Sequence, residues 1–368
     1  MKQIMTVQGP IAPEELGFTS MHEHILLDAR AMRRYALSLL GQNPAAPVAE
    51  EAPVSMETLG YHAHDITLTW DNLKIDDPTL MASEVADFKA SGGSAIADMS
   101  STGLRNDVPG LRRISEETGV HIIVPTGLYA EYTWPERFRT MSAAQYEDFM
   151  LSEITHGIEG TGIRPGHLKF AVESNEVTPQ EQEMLRAVAR VSQETGLSAT
   201  IHSGILVEKE AVRRAIGILR DEGMPPERTL LCHMQKFFHP MHLDTLILVP
   251  DSWRLDLDFA KEVLDLGMSV CIDCFGHRWD LEALGLAPSC SDHVRLAGIV
   301  MLVKEGYAEQ IVIGTDLFLK INTRRYGGDS YSRLTNYVAP TLEKVGVRKE
   351  DVRRITHENP ARILAFQG

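Results

Sequence analysis

Two histidines stand two residues apart in the run Met21-His22-Glu23-His24. On a strand their side chains leave the same face, so they can grip one metal ion from a single strand end. Isolated candidates follow at the ends of later apolar runs: His202 in "TIHSG", His233 in "LLCHM" and Asp316 in "IVIGTDLF". A lone His-x-His is weak evidence. A His-x-His on a first strand, single histidines on two later ones and an Asp on the last form a far more specific pattern, that of a metallohydrolase.

Four neutral imidazoles and one carboxylate suit Zn²⁺, Co²⁺, Mn²⁺ or Fe²⁺ better than Ca²⁺ or Mg²⁺. Five ligands are too many for one open zinc site and too few for two metals unless something bridges them. Lys169, in "GHLKFAVE", falls on a strand end of the same set. An ammonium there would repel cations. Reacted with carbon dioxide it becomes a carbamate, whose two oxygens can bridge divalent ions roughly 3.5–4 Å apart. Buried lysines lose their proton readily, as that reaction requires. The expected cofactor is two divalent metal ions bridged by N6-carboxylated Lys169, zinc first, with cobalt, manganese or iron as alternatives.

The elements that must position these residues alternate regularly. Strands are expected at 19–25, 94–99, 121–128, 167–172, 198–202, 229–233, 268–273 and 310–316, with amphipathic helices at 79–90, 108–118, 142–159, 179–195, 208–221, 255–266 and 292–305. Strand then helix, repeated eight times, predicts an α/β fold, the (β/α)8 TIM barrel, and places every candidate at the C-terminal mouth. The turns "ASGG", "ETGV", "ETGL", "DEGM", "DLGM" and "KEGY" put Gly just after a helix, where a left-handed cap is needed. Residues 31–68, rich in Ala, Pro and Glu, break the rhythm and read as an insertion after strand 1, a lid or a surface excursion. "RITHENPARILAF" reads as a C-terminal helix packing back on the barrel, and residues 1–368 as one metallohydrolase domain.

The 368 residues carry 51 acidic against 36 basic side chains, a net charge of −15, which argues against nucleic acid or an anionic membrane as partner. A small-molecule substrate is the expected partner. No run is long enough to span a bilayer, and the N-terminal stretch has no apolar signal core, so a cytoplasmic location is expected. The four cysteines fit a reducing compartment. Neither a Walker-type loop nor G-x-G-x-x-G occurs, which argues against a nucleotide cofactor.

"TVQGPIAPEELGFTSMHEHILLD", "ASGGSAIADMSSTGLRNDVPGLRRISEETGVHIIVPTGLY", "HLKFAVE", "TIHSG", "GTDLF" and "HENPARIL" together resemble, in order, the blocks of the phosphotriesterase-related branch of the amidohydrolase superfamily. The likeness spans the whole chain except 31–68. It implies His22, His24 and Asp316 on a more buried metal, His202 and His233 on a more exposed one, and Lys169 bridging both beside a hydroxide whose proton Asp316 takes. It implies a homodimer as well. Asp273, in "CIDCFG", matches an acid that the family places in a proton relay. Phosphotriesterases proper follow it with a His; here Cys274 follows, which argues against efficient organophosphate hydrolysis. Tyr129 matches a tyrosine that lactonase members aim at the metals. The expected activity is thus hydrolysis of a carboxylic ester, a lactone first, with phosphotriesters or N-acyl amides as alternatives on the same metals. A non-catalytic binder and a mononuclear deaminase-like relative are the rivals of different class.

Lys236, Arg278 and Arg324 follow strand ends and are candidates to hold a substrate carboxylate or phosphate. Other groups read as decoys. His62-x-His64-Asp65 lies in the insertion, and His239 and His242 follow strand 6. Cys271 and Cys274, three apart on a strand, face opposite sides and read as buried small residues rather than a joint site. His357 reads as structural.

Overall fold

Eight parallel strands stand in chain order around a closed ring: β1 (Thr19–Glu23), β2 (Ala95–Asp98), β3 (His121–Ile123, resuming as Pro125–Leu128), β4 (His167–Val172), β5 (Ala199–Ser203), β6 (Thr229–Leu231), β7 (Ser269–Ile272) and β8 (Ile311–Ile313). This computed structural model describes residues 2–40, 48–238, 254–278 and 290–367. The first half of β3 pairs with β2 and the second half with β4, so the strand itself joins two ladders. Between β8 and β1 the ring closes through the Asp316 N–H, which donates to the His22 carbonyl at 2.8 Å. The chain is a (β/α)8 TIM barrel, as the alternation predicts.

Each expected strand and helix is present, with ends shifted by a few residues. Thr178 caps the helix Pro179–Thr195, its hydroxyl accepting from the Glu181 N–H while Glu181 reaches back to the Thr178 N–H. Gly196 closes that helix at φ 73°, as Gly119 closes Val108–Thr118 at φ 67°. Residues Met21, Ala95, Ala97, Met99, Ile123, Leu230, Cys232, Cys271 and Val312 fill the barrel interior, and Ile4 and Leu16 from the N-terminal segment pack against them. A larger apolar layer joins the outer faces of the strands to the surrounding helices.

The insertion begins as the helix Arg30–Leu40 and later forms the short helix Leu59–His62; residues 41–47 of it lie outside the described set. Its root is fastened down. Arg33 lies over Trp70 and donates to the Thr67 carbonyl at 2.6 Å. Asn72 donates to the Ile66 carbonyl and accepts from the Ile321 N–H, which ties the insertion to the loop after β8. At the C-terminus, Lys349–Arg353 and Asn359–Leu364 are joined by the π turn Arg354–Glu358, giving the helix expected there.

One backbone contact bears directly on the site. Gly127 sits opposite Lys169 across β3 and β4, at φ +118°. A Cβ there would lie 2.1 Å from the Lys169 carbonyl oxygen. Gly127→Ala is therefore expected to cost at least about 1–3 kcal/mol. A lowered melting temperature together with reduced metal content would be the check, since β4 must move to make room.

Candidate active site

His22, His24, Lys169, His202, His233 and Asp316 converge at the C-terminal mouth, all buried except His202, which is half-buried. The rings fall into two sets. His22 Nε2 and His24 Nε2 lie 3.3 and 3.4 Å from Asp316 Oδ1. Across from them His202 Nδ1 and His233 Nε2 face each other at 2.7 Å.

The remaining nitrogen of every ring is held from outside. His22 Nδ1 meets Asp273 Oδ2 at 2.8 Å, and His233 Nδ1 meets Asp273 Oδ1 at 2.7 Å. His24 Nδ1 meets the Ser100 hydroxyl at 2.9 Å. His202 Nε2 lies 3.2 Å from Glu173 and 3.3 Å from the Tyr129 hydroxyl. One fixed nitrogen with the other turned inward is how metal-binding histidines are oriented. Amid these groups Lys169 Nζ is fully buried and makes no hydrogen bond among the described residues. A bare ammonium in such a place is costly, whereas a carbamate would find cations on both sides. The donor set therefore fits two divalent ions bridged through Lys169.

Two of these positions, and the neighbouring Cys274, owe their aim to unusual backbone. His233, Cys274 and Asp316, which follow β6, β7 and β8, have φ of 59°, 61° and 51°. Left-handed backbone in a non-glycine residue costs on the order of 1–3 kcal/mol and concentrates at functional sites. Here it turns the chain just as it leaves the barrel. Glu23, the residue between the two histidines, supports the same region from below. Its carboxylate accepts from the Thr315 N–H at 2.7 Å and the Leu317 N–H at 3.0 Å, locking β1 to the turn that carries Asp316. Burial pushes Glu23 up to about 7.

Charge is arranged accordingly. Burial alone would raise Asp316 and Asp273, but the neighbouring rings of His22 and His233, joined at Asp316 by that of His24, hold both below the usual carboxylate range. Burial, then His233 and Lys169, depress His202 and keep its ring neutral, the form that binds metal. Burial also pushes Glu173 up to about 8. Cys274 stays a thiol, raised by burial and by both acids, and lies 3.3 Å from Asp273 Oδ1 and 3.4 Å from Asp316 Oδ2. It thus stands between the two carboxylates.

Asp273 accepts from Gln235 Nε2 and the His233 N–H besides the two rings. It holds the outer nitrogen of a histidine from each set. Asp273→Ala is expected to lower metal affinity about 10–100-fold at both positions rather than one, which competitive chelator titration would resolve.

The other candidates sit as follows. Tyr129 is held by Trp134, whose Nε1 donates to the Tyr129 carbonyl at 2.8 Å, and its ring packs edge-on to His202. Lys236 Nζ donates to the carbonyls of Ser203, Gly204 and Val207, so all three of its donors are engaged with the loop after β5. Burial lowers Lys236 to about 7. Arg278 is paired with Asp329 at 2.6 Å, and Arg324 is paired with Asp87. Neither meets a metal-site residue in these contacts. His62 is buried in the insertion, and among the described residues no clustered donor set includes it or His64. His239 and His242 lie outside the described residues. His357 stacks edge-on against Phe18. Cys271 and Cys274 belong to different clusters, as their spacing predicts.

Sequence reasoning missed the supporting residues Glu23, Asp98, Ser100 and Glu173. Asp98 accepts from the Ile25 and Ser100 N–H groups, fixing the strand ends beneath His24. The available signal was position: Asp98 ends β2, and Glu173 directly follows β4.

Comparison with known proteins agrees with this geometry. The profile described as the Phosphotriesterase family matches residues 2–364. An N-acetyltaurine hydrolase of Homo sapiens is 30% identical over 369 residues, covering 99% of this chain and 98% of the relative. That of Salmo salar is 29% identical over 371 residues with the same coverage. Among solved structures, a resiniferatoxin-binding protein from Rhodobacter sphaeroides superposes with a TM-score of 0.85 at 29% identity, covering 98% of this chain and 94% of that one. A lactonase from Listeria monocytogenes gives a TM-score of 0.76 at 25% identity, with both chains covered completely. With its barrel, its convergent histidines and a profile match along nearly its whole length, this chain belongs to the phosphotriesterase family and is a hydrolase.

Proposed function

We propose that the protein is a binuclear metal-dependent hydrolase of carbonyl substrates, with lactones as the leading class. The observation that carries this reading is the set of four imidazoles, each with one nitrogen tied from outside and the other turned inward, beside a buried Lys169 that makes no hydrogen bond among the described residues. His22, His24 and Asp316 would hold one cation and His202 with His233 the other, with carboxylated Lys169 between them. When bound, such a pair polarises a carbonyl and lowers the pKa of water enough to supply a nucleophile at neutral pH.

The chain's own groups supply the rest. The unbound part of the Asp316 carboxylate accepts the proton released during attack. Cys274 Sγ, between Asp316 and Asp273, fills the place where phosphotriesterases proper carry a His, which supports a carbonyl rather than a phosphoryl substrate. The Tyr129 hydroxyl beside His202 can donate to a substrate oxygen on the exposed side.

A second reading, hydrolysis of an N-acyl amide, is favoured by the N-acetyltaurine hydrolases, which match along the full chain at 28–30% identity. Both readings use the same centre. They differ in the leaving group, since an amine must be protonated to depart and an alkoxide need not be. Assay of the metal-loaded, bicarbonate-treated protein on sugar lactones, acyl-homoserine lactones, N-acyl amino acids, N-acetyltaurine and paraoxon separates them. Lactone turnover dominating the panel is the expected result, and turnover of amides alone would replace the first reading by the second. Bound metal with no turnover of any class would leave a binding protein.

A further inference from the structure

Beneath the site described above lies a second group of metal-capable atoms. Cys232 directly follows β6, and Cys271 lies in β7. Leu231 pairs with Val270 across these parallel strands, so the two cysteines are the next residues along both chains and come side by side. Both belong to the barrel interior, with 1% and 0% of their surface exposed. Their sulfurs, one nitrogen of His22 and one oxygen of Asp273 all lie within 4.8 Å of one another. The buried apolar residues that cluster with the two cysteines include Met21, Ala95, Ala97, Met99, Ile123, Leu230 and Val312. Two thiols side by side at the top of this cluster, facing a His and an Asp, are a chemical departure from that filling.

We propose that Cys232, Cys271, His22 and Asp273 form a further cation site, directly below the hydrolytic centre, which takes a thiophilic divalent ion such as Cd²⁺ or Zn²⁺ and inhibits the enzyme when filled. Two sulfurs, a nitrogen and an oxygen are a four-ligand set for a tetrahedral d¹⁰ ion. At the metal–ligand lengths of such ions the ligand atoms stand roughly 3.5 Å apart, so the group needs only a modest contraction. Thiolates select soft ions, while imidazole, carboxylate and carbamate accept harder ones such as Mn²⁺. On binding, two S–H bonds break, their protons pass to water, and two metal–sulfur bonds form. No atom changes oxidation state.

Inhibition follows from shared parts. His22 and Asp273 also serve the centre above: His22 Nε2 faces Asp316, and Asp273 orients both His22 and His233. An ion drawing either residue downward loosens both halves of that centre. The inhibitory consequence rests on the proposed function; the thiolate site does not.

The test is a Cd²⁺ titration of the full chain, first loaded with Mn²⁺ and bicarbonate. An ultraviolet cadmium–thiolate charge-transfer band is expected to grow to saturation at one equivalent, while hydrolysis falls with the same midpoint. Cys232→Ser and Cys271→Ser should lose the band and need about 10–100-fold more Cd²⁺ for the same inhibition. Cys274→Ser should keep the band. Cadmium bound without a band, or a band lost in Cys274→Ser and kept in Cys271→Ser, would overturn the site. Should the two serine variants not fold, cadmium NMR of the unmodified chain counts its sulfur ligands: two support the proposal, none or one refute it. Lys169→Ala separates the two readings. A band kept in that variant supports the thiolate site independently of the bridged pair, and a band without turnover of any substrate by the unmodified chain refutes the hydrolase reading alone.

Discussion

Lys169→Ala is expected to lower kcat/KM by on the order of 10³-fold and to leave the metal-free fold intact or firmer. The two halves of this result come from one fact. Lys169 Nζ is wholly buried, makes no hydrogen bond among the described residues and stands among histidines turned inward. In the metal-free chain an unsatisfied buried polar group of this kind costs about 1–3 kcal/mol, so its removal should not lower the melting temperature. In the proposed metal-loaded chain the same residue would be the bridge, and losing the effects of a bound metal pair would forfeit several kcal/mol of barrier lowering, which is a thousandfold or more in rate. The shortened side chain also leaves room for a small carboxylate. Acetate or propionate should restore part of the activity and metal content of Lys169→Ala, and none in Lys169→Arg, whose guanidinium fills the space with the wrong charge. A Lys169→Ala protein with full metal content, full rate and a sharply lower melting temperature would show the lysine to be a structural filler.

The strong signals in the sequence were those with a period or a repeated context. Apolar runs alternating with amphipathic helical stretches located all eight strands, because a buried parallel strand reads as an apolar run bounded by turns. The candidate metal-binding histidines and Asp316 were visible because each falls at the end of such a run. Boundaries drifted where backbone geometry changes: the run expected at 310–316 is strand only through Ile313, since Asp316 adopts left-handed backbone. Ser100 and Glu173 carried no comparable mark. Each makes its contribution through a neighbour distant in sequence, Ser100 to His24 and Glu173 to His202, and such pairings exist only after the barrel closes. The cysteines show the same limit from the other side. Spacing along the chain correctly separated Cys271 from Cys274, yet the partner of Cys271 is Cys232, and strand register rather than sequence distance makes that pair.

Asp316→Asn should cost about 10²–10⁴-fold in kcat while leaving the melting temperature of the metal-free protein nearly unchanged. The position does three jobs that different substitutions separate. Its N–H closes the barrel onto the His22 carbonyl at 2.8 Å, and any residue but proline supplies that contact. Its φ of 51° suits Asn and Asp far better than most side chains, so Asn keeps the turn. Its carboxylate faces His22 and His24 through Oδ1 and the Cys274 thiol through Oδ2, and only this contact set depends on negative charge. Asn matches the shape and removes both the charge and the ability to accept a proton. Asp316→Ala removes the side chain altogether and adds roughly 1–2 kcal/mol of left-handed strain, so it should lose stability as well as rate. The contrast is what makes the pair informative. Equal melting temperatures for the unmodified and Asp316→Asn chains, with kcat reduced by orders of magnitude in the variant, place the effect in proton transfer and metal charge. An Asp316→Asn chain that hydrolyses at the full rate would remove Asp316 from the chemistry and leave it as a hinge of the barrel's last turn.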